Sequence, residues 1–178
     1  MKKLTFLLFI PLFCATTCDD DPCENNVKYI TNHDLIKVEE NETIYNIGDT
    51  LWLNTTVSRI QMLQNGQSTY DLFNENQTFA YYLSMFKNSN LGNDYQVYLS
   101  SENLISIKGN AESNYFTLVK ENDNFVNRTG IKLVESGSFN INVSDISSYG
   151  SGGCSFSTQI QTKILNSDEY GNYNFNVQ

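Results

Sequence analysis

Histidine is almost missing from this chain. Its 178 residues include one, His33, with one tryptophan and two prolines. A single imidazole excludes a multi-histidine metal centre and leaves one ready base for a serine or cysteine nucleophile. His33 stands just before Leu35, Ile36 and Val38, where an apolar alternation begins, so it reads as a turn residue. Positive charge is also scarce. Eleven Lys and Arg face 20 Asp and Glu, a net charge of −9. Such a chain repels phosphate backbones, which excludes nucleic acid as a partner. No Gly-rich phosphate loop follows a strand and opens a helix, and "GSGGC" at residues 150–154 reads as a loop. Carboxylates are plentiful, but abundance does not make the spaced pair that glycoside hydrolysis needs. Asp19–Asp21 lack the glycine-containing spacing of a calcium loop. The reading is a chain that is no enzyme and needs neither cofactor nor metal.

Long apolar runs are absent after residue 13. The one near the start, "LTFLLFIPLF" at Leu4–Phe13, has ten residues and follows Lys2 and Lys3. A membrane span needs roughly 20. Charged start, short apolar core and small residues behind it predict a secretory signal. Cysteine is sparse and oddly placed: three of the four, Cys14, Cys18 and Cys23, fall within ten residues, and the fourth is Cys154.

The stretch "ATTC" ending at Cys18, followed by "DDD", resembles the lipoprotein signals of Bacteroidota. The resemblance implies cleavage before Cys18 by signal peptidase II, with diacylglycerol and an acyl chain such as palmitate on that cysteine. The acidic run Asp19–Asp21 resembles the signal that sends such proteins to the outer face of the outer membrane. Cys14 would leave with residues 1–17. Two of the 11 basic residues leave too, so nine face 20 acids and the net charge becomes −11. Anionic headgroups would repel that charge, so attachment to the membrane rests on the lipid anchor. Cys23 and Cys154 then remain as an even pair in an oxidising setting and are expected to form a disulfide. It would close a loop of roughly 130 residues, for about 4–5 kcal/mol by loop-entropy reasoning.

The rest of the chain alternates with period two. "CSFSTQIQTKI" at Cys154–Ile164, "NYNFNV" with Tyr173, Phe175 and Val177, and "SFNINV" with Phe139, Ile141 and Val143 each put apolar residues on one face. Strands are also predicted over Val27–Thr31, Leu35–Glu39, Thr50–Val57, Ser68–Phe73, Gln77–Phe86, Tyr95–Leu99, Leu104–Lys108, Tyr115–Lys120 and Gly130–Val134. "QTFAYYLSMF" is apolar on both faces, which predicts a central strand covered on both sides. Glycine-bearing turns at Gly48, Asn65-Gly66, Gly109 and Gly171 punctuate the runs. No helix stands out. The pattern predicts an all-β, antiparallel β-sandwich. "YNIGDTLWLNTTVS" resembles a segment of small Bacteroidota surface lipoproteins and implies an immunoglobulin-like version. The expected organisation is a signal peptide at 1–17, an acidic lipidated tether at 18–26 and one domain at 27–178.

Aromatics carry the binding hint. Trp52, Tyr81, Tyr82, Tyr95 and Tyr98 offer flat faces for sugar rings, although aromatics on strands also serve as packing. "DTL" at Asp49–Leu51 resembles an O-glycosylation sequence with Thr50 as acceptor. The sequence therefore points to a surface-anchored, non-catalytic binding or structural protein of the cell envelope. An envelope protein is the first expected partner and a glycan, in polysaccharide capture, the second. A long unpaired edge strand would favour pairing with a protein; exposed aromatics in a row would favour sugar.

Overall fold

The computed structural model describes residues 27–74, 78–89, 92–149 and 158–178. Cys14, Cys18, Asp19–Asp21, Cys23 and the "GSGGC" segment with Cys154 lie outside the described residues. The expected Cys23–Cys154 disulfide requires correction. No disulfide joins the described residues, which contain no cysteine, and their strands are held by burial and hydrogen bonds instead.

The described residues are predominantly β-strand. The larger sheet runs in the order β1 (Lys28–Thr31), β16 (Thr158–Gln161), β15 (Ile146–Tyr149), β7 (Thr78–Lys87), β14 (Gly137–Val143), β17 (Tyr173–Val177), β3 (Ile44–Tyr45). β7 is its axis. β15 and β14 lie in line along one edge, pairing with its first and second halves. β11 (Tyr115–Thr117) and β8 (Tyr95–Val97) do the same along the other, and β10 (Asn110–Glu112) borders β11. The ladder is interrupted between β14 and β15. There Ser144 repairs it: its amide donates to the Tyr82 carbonyl, and its hydroxyl accepts from the Tyr82 N–H at 2.9 Å. A side chain thus replaces a backbone acceptor, and β7 passes through without an orphaned amide.

The second sheet is β12 (Val119–Glu121), β13 (Asn124–Lys132), β4 (Thr50–Ser58) and β2 (Ile36–Val38), with β9 (Leu104–Lys108) also on β13. A small hairpin, β5 (Ile60–Met62) and β6 (Thr69–Asp71), lies beside β1. Both sheets feed one apolar core. Leu51, Leu53 and Val57 enter it from β4, and Phe79, Tyr81 and Leu83 from β7. The sheets touch directly where Phe79 meets Phe125, ring centroids 4.6 Å apart, and where Thr55 Oγ1 shares a hydrogen bond with the Tyr81 hydroxyl at 2.9 Å.

Two expectations need revision. The larger sheet is mixed, since β1 pairs with β16 and β3 with β17 in parallel, whereas the strand pairs of the second sheet are all antiparallel. Both pairs join segments far apart in the chain. No hairpin forces their direction. β7 is central, as expected, but it is not covered on both faces. Phe79, Tyr81, Leu83 and Met85 are buried, whereas on the other face Tyr82 is 53% exposed and Ser84 and Phe86 are half-buried. The sequence "FAYYLSMF" gives both faces apolar side chains; only one of them meets a second layer.

Candidate functional site: the outer face of the larger sheet

Strand alternation fixes which residues point away from the core. On β7 these are Thr78, Ala80, Tyr82, Ser84 and Phe86. Register then sets their neighbours. Tyr82 stands opposite Tyr115, with ring centroids 4.9 Å apart. Phe86 lies between Gln96 on β8 and Asn140 on β14, and Asn140 faces Asn174 on β17. Ser84 lies beside Asn142, and Ser138 beside Asn176. The result is a flat face carrying three aromatic rings among amides and hydroxyls. Four strands at about 4.8 Å spacing make it ~14 Å wide, and Tyr82 to Phe86 spans ~13 Å along β7.

The amides are not left loose. Asn140 Nδ2 donates to Asn88 Oδ1 at 3.0 Å, Asn142 Nδ2 to Asn172 Oδ1 at 3.2 Å, and the Ser138 hydroxyl to Asn176 Oδ1 at 2.6 Å. An amide carries two donors and two acceptor lone pairs. One such bond holds its orientation and leaves capacity for a ligand. Asp168 anchors the far margin, accepting from the backbone N–H groups of Tyr170 and Asn172 and from Asn174 Nδ2. The Asn172 N–H bond and its companions hold this carboxyl below the ordinary value of 3.8. At neutral pH the ionised carboxylate therefore accepts from the Asn172 backbone and the Asn174 amide.

No family model matches this chain, nor does any curated protein or solved structure.

The five aromatics expected to bind sugar do not converge. Tyr82 is on the platform. Tyr81, its neighbour in sequence, is fully buried, and burial pushes its hydroxyl far above the usual tyrosine value. Tyr95 and Tyr98 are exposed, Tyr98 at 77%. They lie off the platform: Tyr95 pairs with Lys87, an inward position, and Tyr98 lines a small cavity with Met85, Leu99 and Phe139. Trp52 belongs to the other sheet. Its ring leans over Gly130, where an added Cβ would come within 2.9 Å of it, and the Arg128 guanidinium sits 4.4 Å from the ring centroid. Arg128 is itself clamped by Glu39 through two 2.8 Å bonds. Phe86 and Tyr115 escape a sequence reading; alternation does send the asparagines of "NYNFNV" and "SFNINV" outward, as the structure has them, but not beside these rings. Tyr115 is 33 residues from Tyr82, and only the β11–β7 register brings them together.

His33 is exposed in the turn before β2. Among the described residues no three His, Cys, Asp or Glu side chains group into a metal site. Glu39, Asp71 and Asp168 are all held below the usual carboxylate range by hydrogen-bond donors. A general acid at neutral pH needs the opposite shift. Thr50 opens β4, half-buried and opposite Lys132, so a glycosyltransferase would meet it inside a paired strand.

Proposed function

We propose that this chain is a lipid-anchored, non-catalytic glycan-binding protein of the outer membrane surface, an accessory in polysaccharide capture. The supporting observation is the outer face of the larger sheet, where Tyr82, Tyr115 and Phe86 stand among oriented amides. Sugar rings present C–H faces that stack on aromatics and hydroxyls that bond to amides, so this mixture suits them. Strand addition by a protein partner has less support. The strands at the margins of the two sheets are short: β1, β3, β8 and β10 of the larger have four, two, three and three residues, and β2, β12 and β9 of the second have three, three and five. β1 is further bridged by the β5 hairpin through Ile30 and Leu63. In the same reading the two sheets are the layers of an immunoglobulin-like sandwich, and acylated Cys18 with its acidic run holds it at the cell surface.

A glycan array probed with the full-length chain in detergent tests the reading. Binding should appear and should fall by about tenfold, the loss expected of a central aromatic contact, in Tyr82→Ala. Silence across a broad array would remove the glycan reading and return an envelope protein to first place.

A further inference from the structure

The chemistry of the platform narrows the ligand. Every outward side chain on β7, β8, β11, β14 and β17 is uncharged. Carboxylates border these strands: Glu112, opposite Tyr115 in the β10–β11 register, Asp145, which follows Ser144 and accepts from the Gln159 amide at 2.7 Å, and Asp168 in the loop before β17. No Lys or Arg points outward from these five strands, and the chain as a whole carries −9. An anionic ligand would be desolvated against amides and then face only like charge. A cationic one would find carboxylates only along the margins, none among the outward side chains between Tyr82 and Phe86. Asparagine is poorly suited to strands, yet four of them, Asn140, Asn142, Asn174 and Asn176, occupy outward positions on two adjacent strands. Residues that carry donors and acceptors without charge match hydroxyl-rich, uncharged ligands.

Resting on the glycan reading, we infer that the ligand is an uncharged polysaccharide chain, laid along β7 from the Tyr82–Tyr115 pair to Phe86 with its flank on Asn140 and Asn142. The aromatic positions are four residues apart on one strand, ~13 Å. That span exceeds one sugar ring, so a single monosaccharide reaches one end of the platform and an oligosaccharide reaches both. Contacts of this kind involve no ion pair, and added salt has nothing to screen.

The test is affinity electrophoresis of the full-length chain in detergent, through gels containing laminarin, amylose or galactomannan, or else polygalacturonate or heparin. Retardation by at least one neutral polymer is expected, unchanged between low and high salt. Its oligosaccharides should compete and its monosaccharide should not. Phe86→Ala and Tyr82→Ala should each weaken retardation about tenfold, while Tyr98→Ala, off the platform, leaves it intact. Thermal unfolding of each variant separates lost contact from lost fold. Retardation only by polygalacturonate or heparin would overturn the uncharged ligand and leave the glycan reading standing. Neutral binding that survives both platform substitutions in folded protein would overturn the site. Retardation by none of the polymers would overturn the glycan reading itself.

Discussion

Two hydroxyls meeting in the core decide more than their size suggests. Thr55 and Tyr81 come from different sheets and satisfy one another at full burial. Tyr81→Phe leaves the Thr55 hydroxyl unpaired and should cost about 1–2 kcal/mol in urea unfolding. Adding Thr55→Val to it should recover much of that loss, because both polar groups are then gone; an additive double variant would refute the coupling. Glu39 provides the acid-sensitive counterpart. Its bonds from Arg128, with a smaller one from Asn54, hold its carboxyl below the ordinary 4.5. A depressed folded value means stability that is present above 4.5 and fades as pH falls through that lower value. Glu39→Gln should therefore cost ~1 kcal/mol at pH 7, and the two proteins should converge in acid. At this scale the sequence was readable only in part. "AYY" shows two adjacent tyrosines whose alternation must send one inward and one outward, but nothing in it says that Tyr81 finds a hydroxyl and Tyr82 another ring.

Among elements, the alternating ones were legible and the polar-cored ones were not. β17 matches its prediction with Tyr173, Phe175 and Val177 inward. β13 was foreseen only at its end, from Gly130, because two of its four inward residues are Asn127 and Thr129. Those residues read as loop. They are buried because Asn127 Nδ2 reaches the carbonyls of Asn110 and Thr117, tying β10 and β11 to the second sheet. The same corner depends on Gly109, which has φ +71° and no room for a side chain: a Cβ would lie 2.3 Å from the Thr117 carbonyl oxygen and 2.7 Å from Asn127 Nδ2. A backbone carbonyl cannot swing aside. Gly109→Ala should cost about 2 kcal/mol or more. It should also weaken the proposed glycan binding, because β11 carries Tyr115; native affinity with unaltered unfolding would contradict this account of the corner.

For the whole molecule, the all-β class followed from alternation and turn spacing, whereas the mixed strand directions did not. Direction between distant segments is a property of the closed core and leaves no trace in either segment. Attachment belongs to this scale too. Cys18→Ala should abolish acyl labelling and detergent partitioning, and a variant that still labels would defeat the lipoprotein reading. Reductant, by contrast, should leave the unfolding midpoint unmoved, since no disulfide ties the described strands. The parallel pairing of β1 with β16 then has a mechanical meaning. β1 is the first strand after the proposed anchor, and four residues of it, Lys28 to Thr31, are in register with Thr158 to Gln161. Were the proposed anchor and ligand both in place, a polymer dragged by flow would pull on the sheet while the membrane held the chain's beginning. When that load runs along β1, it acts in shear and stresses the ladder bonds together, where a perpendicular load would open them one by one. On the proposed reading, a pull along β1 would meet the four-residue register with β16 in its more resistant direction.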